Sequence, residues 1–425
     1  MNPSPASPPP PRPWYRKLHW QILVALVLGV AAGSLGGPRA AEEVGWLGTL
    51  FVTLLKMVVV PLVLASIVTG VASLGGGRAF GRMFSKTFAY YILSSLLAIL
   101  TGLVLANLLQ PGRGLDMVHG TRQALPEGLA TPTSVPDLLL GMVPENIIAS
   151  AARADLLAVI VFGILFGIAL GGLEETPRER VLGFFDGFFQ AMLRLTGFVL
   201  ALAPIGVFGL VTRAVAAFGL SAFRSMALYM AMVGLGLAIH YLVSLPLLLR
   251  LFGRINAWIH YRNVAEPMAI AFSTSSSAAT LPSTIAAVEK KCGVSQRVTS
   301  FVLPMGATIN MDGTALYECA GALFIAQALG IHLSFGQQAV VVLTALLASI
   351  GAAAVPSAGL VVIFIVLEAI GLRGPQVDAL VGFMLAVDRP LDMARTAVNV
   401  TSDTCGAVII ARSEGEKDVD TVVAD

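Results

Sequence analysis

Five polar residues near the end of the chain, Asp388, Asp392, Arg395, Asn399 and Asp403, are spaced by four, three, four and four positions. Spacings of three and four stack side chains on one face of an α-helix. An ionisable residue at membrane depth costs about 2.5–3.5 kcal/mol on insertion scales, so a stripe of this kind must face a protein-lined or wet cavity. Arg395 offers a planar fork suited to a carboxylate, and Asp392, one turn earlier on the same face, can accept an ammonium group. An acidic amino acid carries both partners; its second carboxylate needs donors elsewhere. Upstream, Thr308, Asn310, Asp312, Thr314 and Glu318 form another polar group, where Asn310-Met311-Asp312-Gly313-Thr314 interrupts an apolar run. A glycine among polar residues predicts locally unwound backbone whose carbonyls can coordinate a cation. Asp312, Asp388, Asp392 and Asp403 set against Arg395 leave a deficit of about three charges, which cations must fill. Oxygen-only ligands favour hard ions such as Na⁺. The competing account is a structural ion-pair ladder, which the one arginine among the three aspartates of that stripe does not complete.

The elements that hold these residues follow from composition. The 425 residues are 56% hydrophobic and only 12% charged, with mean hydropathy +0.83, whereas a soluble domain has about 25% charged residues. Runs long enough to cross a bilayer occur at Trp20–Gly37, Val44–Leu74, Thr87–Leu109, Leu156–Gly172 and Ser225–Leu249. The formal charge of +2 argues against a nucleic-acid partner. Met1–Pro13 is rich in proline and serine and reads as a disordered tail; Arg12, Arg16 and Lys17 before the first apolar run place the N-terminus in the cytoplasm. Arg78, Arg82 and Lys86, then Arg178 and Arg180, then Arg250, Arg254 and Arg262 mark inside loops, so six spans precede a cytoplasmic His260. The polar stretch Pro111–Pro136 is expected as an outside loop. Cys292, Cys319 and Cys405 lie far apart and the five histidines are scattered, so spacing supports neither a disulfide framework nor a zinc motif.

Met268–Val288 is too polar for a lipid-facing helix and has basic residues on both sides, Arg262 before it and Lys290, Lys291 and Arg297 after it. Both ends on one side predict a re-entrant hairpin with its tip at Ser273–Pro282. Ser349–Pro356 repeats the Ser, Ala, Ala and Pro of Ser275–Pro282, which predicts a second hairpin. Counting spans inverts the second unit relative to the first. Inverted repeats with broken, small-residue segments at mid-membrane point to a transporter site, although small residues also serve plain helix packing.

These motifs resemble the dicarboxylate/amino acid:cation symporter family, which includes archaeal aspartate transporters and excitatory amino acid transporters. The resemblance runs from about Trp20 to Arg412. It rests on the serine-rich tip, residues 310–314, the Ser349–Gly359 tip, Asp392-Met393-Ala394-Arg395-Thr396 with Asn399 and Asp403, and Lys56–Ala65. It implies an all-α polytopic membrane protein of eight transmembrane helices plus two re-entrant helical hairpins, a homotrimer working by an elevator mechanism. The implied division is a tail at 1–17, scaffold helices at 18–85 and transport-domain helix 3 at 86–110. An outer loop, scaffold helices 4–5 and helix 6 follow at 111–253, then the transport core at 254–412 and a cytoplasmic tail at 413–425.

Carried over residue by residue, the resemblance implies substrate contacts at Ser276, Ser277, Thr314, Val355, Gly359, Asp392, Arg395, Thr396 and Asn399, with Asp388 bracing Arg395. It implies one sodium site at Gly306, Asn310, Asn399 and Asp403, a second at Thr308, Met311, Ser349, Ile350 and Ala352, and a third at Tyr91, Ser94 and Ser95 with Asn310 and Asp312. Ser275 and Met393 stand where family members commonly carry an arginine. Glu318 matches a glutamate linked to proton transport in part of the family, which makes H⁺ a candidate co-transported ion beside Na⁺. The expected protein is a symporter of L-aspartate or L-glutamate in the inner (plasma) membrane, in contact with lipid. A C4-dicarboxylate carrier would need no acceptor for an ammonium group. A passive anion channel is the other class. An intramembrane protease is disfavoured because no GxSxG surrounds Ser275–Ser277 and no histidine lies nearby.

Overall fold

The computed structural model describes residues 18–72, 78–113, 143–153, 156–219, 221–350 and 358–420, and among these every regular element is helical. The tail 1–17, most of the loop expected outside and the tip 351–357, with Ala352 and Val355, lie outside the described residues.

Helix α1, Leu18–Ala72, is two helices in one run, broken at Gly37 (φ 53°, ψ −138°). Glycine takes that left-handed conformation without a Cβ clash, and Pro38 opens the next helix where its missing N–H costs little. The first apolar run therefore ends where expected. Then come α2 (Arg78–Leu109), α3 (Ile147–Ala152), α4 (Leu156–Gly171), α5 (Glu175–Ala201) and α6 (Ala203–Phe218). The next helix, α7 (Ser221–Ile239), runs on through π-turns at His240–Ser244 and Leu249–Gly253.

Among the described residues, four stretches are long and apolar enough to cross a membrane, Trp20–Ala72, Arg82–Leu109, Glu175–Ala201 and Phe223–Gly253. Their outward side chains include Val27, Leu28, Leu108, Phe184, Phe198 and Leu242, all exposed, which suits hydrocarbon and not water. A tight seam joins α1 to α6. A Cβ at Gly206 would lie 2.3 Å from Phe51 Cγ, and one at Gly48 2.6 Å from Leu210 Cγ. Small residues let these helices approach closely, as membrane helices require in the absence of a hydrophobic drive between them.

The second half is built around α15 (Pro375–Ser413). Before it come α8 (Ala257–Asn263), α9 (Ala265–Thr274), α10 (Ser277–Lys290), α11 (Gln296–Ile309), α12 (Asp312–Ala328), α13 (Phe335–Ile350) and α14 (Ala358–Ala369). Helices α9 and α10 pack on each other and on α15, forming the hairpin anticipated for Met268–Val288. At its tip Ser275 adopts φ 53°, and Ser276 caps α10 by accepting from Ala279 N at 3.2 Å. Helices α13 and α14 likewise pack together on either side of the undescribed tip.

Candidate functional site

Helix α11 stops at Ile309 and α12 starts at Asp312; between them Asn310 (φ −99°, ψ 88°) and Met311 (φ −118°, ψ 61°) are extended. The interruption read from residues 310–314 is thus a break in the backbone. It lies against an unbroken α15, whose Asp388, Asp392, Arg395, Asn399 and Asp403 are all buried.

Arg395 is 1% exposed. Its Nη2 donates to Asp388 Oδ1 at 2.9 Å and to Asp392 Oδ1 at 3.1 Å. Its guanidinium lies 3.8 Å above the centre of the Tyr317 ring, a cation–π contact that holds the fork flat. Nε and Nη1 have no hydrogen-bond partner among the described residues. Nη1 is turned to Gly359, where a Cβ would come within 2.7 Å. Any side chain there would block the fork. Arg389 adds a second cation, its Nη1 3.6 Å from Asp392 Oδ2. Thr396 Oγ1 donates to the Asp392 carbonyl. Asn399 accepts from Gly313 N at 2.7 Å and donates to Thr314 Oγ1 at 3.3 Å, tying the break to α15.

Beneath this lies a run of oxygen atoms. Asp312 accepts from Ser94 at 2.5 Å, from Ser95 at 2.6 Å, and pairs with His240 Nε2 at 3.0 Å. Asn310 Nδ2 donates to Asp403 Oδ1 at 2.9 Å and to Ser402 Oγ at 3.0 Å, which leaves Asn310 Oδ1 buried without a partner among the described residues. An orphaned carbonyl oxygen beside a buried carboxylate fits a hard cation. Tyr91 donates to the Val302 carbonyl at 2.8 Å, and a Cβ at Gly306 would sit 2.6 Å from its hydroxyl and 2.5 Å from Asp403 Oδ1. Thr308 and Ser349 point their hydroxyls at carbonyls of their own helices, Met305 and Leu346. Met311 and Ile350 are buried.

The structure therefore gathers Tyr91, Ser94, Ser95, Gly306, Asn310, Asp312, Asn399 and Asp403 around the break. Ser276 and Ser277 lie on the first tip, and Ser275 Oγ is buried there without a partner among the described residues. Sequence reasoning missed four contributors: His240 on Asp312, Arg389 on Asp392, Ser402 on Asn310, and Tyr317 under Arg395. His240 was visible as a lone histidine inside an apolar run. The others carry no signal without the fold. Arg389 reduces by one the cation deficit counted from the sequence.

The sequence profile of the sodium:dicarboxylate symporter family matches residues 18–413. The chain belongs to the sodium:dicarboxylate symporter family. It is 36% identical over 416 residues to the proton/glutamate-aspartate symporter of Escherichia coli (strain K12), covering 94% of each chain. It is 34% identical over 406 residues to the proton/sodium-glutamate symport protein of Bacillus caldotenax, covering 94% of this chain and 95% of that one. It is 33% identical over 415 residues to the C4-dicarboxylate transport protein of Agrobacterium fabrum, covering 96% and 90%. Membership of this symporter family, together with the long apolar helices, makes the chain a membrane protein. The resemblance drawn from the tips and the α15 stripe is borne out.

Proposed function

We propose that the chain imports an acidic amino acid, aspartate or glutamate, by symport with sodium ions. The observation that carries this is the open edge of Arg395. Its Nη2 is held by Asp388 and Asp392, while Nη1 and Nε have no partner among the described residues within a buried site beside Gly359. A substrate carboxylate completes the fork, and Asp392 receives the ammonium. Thr314, Thr396 and Asn399, with Ser276, Ser277, Val355 and Gly359 from the two tips, line the rest of the pocket.

Sodium is assigned to three places: Asp403 with Asn310, Asn399 and Gly306; Asp312 with Ser94, Ser95, Tyr91 and Asn310; and Thr308, Met311, Ser349, Ile350 and Ala352. The unpartnered Asn310 Oδ1 supports the first. Glu318 is assigned a proton, because both its oxygens are buried without a partner among the described residues and an ionised carboxylate there is costly. Around this core the proposal sets an elevator of eight transmembrane helices and two hairpins. The scaffold is 18–85 with helices 4–5 of 111–253. The moving part is 86–110, helix 6 and 254–412. Three copies sit in the inner membrane with both termini in the cytoplasm.

A second reading, a C4-dicarboxylate carrier, is favoured by one contact: Arg389 beside Asp392 neutralises the group that would otherwise await an ammonium. Counterflow in proteoliposomes separates these readings. Labelled aspartate, glutamate and succinate are offered with sodium and pH varied independently. Concentrative, sodium-dependent aspartate or glutamate uptake is expected. Preference for succinate would favour the second reading, and equilibration without concentration would indicate a passive anion channel.

A further inference from the structure

Away from the site, the end of the chain folds back onto the first hairpin. Arg412 donates to the Lys417 carbonyl and to the Val419 carbonyl, Glu416 accepts from Ser295 N at 3.0 Å, and Asp420 N donates to the Cys292 carbonyl at 2.9 Å. This return buries three side chains of different chemistry, His260 (0% exposed), Cys292 (1%) and Asp420 (5%), with their ligand atoms within 4.8 Å of one another.

The hydrogen bonds fix the imidazole. Thr404 Oγ1 donates to the Thr401 carbonyl at 2.7 Å, so at 2.9 Å from His260 Nε2 it accepts from N–H there. Nδ1 then faces Asp420 Oδ2 at 2.5 Å. A lone pair against a carboxylate repels, so a proton lies between them in the metal-free site, where a metal ion could take its place. Cys292 Sγ is 4.0 Å from the same Nδ1. The other carboxylate oxygen accepts from Asn263 Nδ2 at 2.8 Å. Histidine and carboxylate are thus each oriented by an outer partner, the arrangement that supports metal ligands.

We infer that His260, Cys292 and Asp420 form a binding site for a divalent cation of the zinc class, which clamps the chain's end to the first hairpin. The charge balance supports exchange. Imidazolium, thiol and carboxylate sum to zero, and so do neutral imidazole, thiolate, carboxylate and a divalent ion, so the metal replaces two protons without adding buried charge. Tetrahedral bonds of about 2.0–2.3 Å place ligand atoms roughly 3.3–3.7 Å apart, so the histidine–aspartate contact opens by about 1 Å and the thiol closes by a few tenths. Three protein ligands leave the fourth tetrahedral position to a water molecule enclosed with the ion. Cys405 and Lys291 are the other titratable groups acting on the cluster.

The test uses the full chain in lipid nanodiscs, stripped with chelator and titrated with Co²⁺ as a spectroscopic substitute for Zn²⁺. Expected are one bound ion per chain, a thiolate-to-cobalt charge-transfer band, and release of about two protons per ion in calorimetry across buffers. Cys292→Ser should remove the band, and His260→Ala and Asp420→Asn should weaken binding at least about tenfold. Size-exclusion profiles matching the parent keep the variants interpretable. No band in the parent, or a band that survives Cys292→Ser, overturns the inference.

Discussion

Asp312 and Glu318 lie on the same helix, six residues apart, and both are fully buried. Asp312 has three side-chain partners, Ser94, Ser95 and His240, drawn from α2 and from the π-turn after α7. Glu318 has none among the described residues. A buried carboxylate held by three donors is arranged to carry charge, whereas one without donors is tolerated only when something neutralises it. The two positions thus suit different ions: Asp312 a cation that adds to an existing cage, Glu318 a proton.

Arg395→Ala extends the contrast to the substrate pocket by leaving Asp388 and Asp392 without their guanidinium. Truncating the buried charged partner of a substrate carboxylate costs about 2–5 kcal/mol of binding, so substrate binding should fall at least about thirtyfold. Calorimetric titration of aspartate and glutamate checks this, and unchanged affinity would remove Arg395 from the site.

Next in size, Asp312→Asn keeps the shape and discards the charge that Ser94, Ser95 and His240 surround. The sodium-titration midpoint of substrate binding should rise roughly tenfold, about 1.4 kcal/mol. A midpoint and steepness equal to the parent's would show that this cage holds no ion.

Glu318→Gln should change stability little, since it breaks no hydrogen bond among the described residues, but should flatten the pH dependence of uptake. Persistent substrate-driven alkalinisation outside vesicles carrying this variant would transfer the proton to another group.

The smallest effect is expected at the chain's end. The hydrogen bonds from Arg82 and Lys86 hold the Glu414 carboxyl down to about 2, below its ordinary 4.5. A lowered folded value stabilises the anchored state above pH 4.5 and is lost as pH falls through about 2, so anchorage of the tail by Glu414 should not vary between pH 5 and 8. Hydrogen exchange of residues 414–420 across that range checks it.

Much of the helical half around α15 was legible. The four-three-four-four spacing required one continuous face, and the polar run 310–314 announced a backbone break, because both are local patterns; the break itself lies at Asn310 and Met311, with Gly313 already helical in α12. The hairpin tip at Ser275–Ser276 followed from polarity and flanking charge. What stayed hidden depends on distant packing. No periodicity says that His240 meets Asp312, 72 positions away, or that Asp420 meets His260, 160 positions away. Scattered histidines and cysteines gave no metal motif for the same reason: the motif is assembled by the return of the tail. Lys56 was legible only as the first residue of the Lys56–Ala65 run; the structure pairs it with Asp378 at 2.9 Å, joining α1 to the start of α15.

The π-turns that extend α7 have a consequence for tolerance to change. Each π-turn accommodates one residue beyond regular α-winding, and one residue turns a helix by about 100°. The turn at His240–Ser244 therefore sets the azimuth of everything after it, including buried Leu245, Leu248 and Leu249. Removing one residue within 240–244 would restore ordinary winding and leave that apolar face in its packing, because the wide turn is what absorbs the extra residue. A residue removed from Leu245–Leu248 between the two π-turns has no such slack and would turn the later side chains by about 100°. The two wide turns thus act as stores of spare length, where the helix can shorten by a residue while its neighbours keep their places.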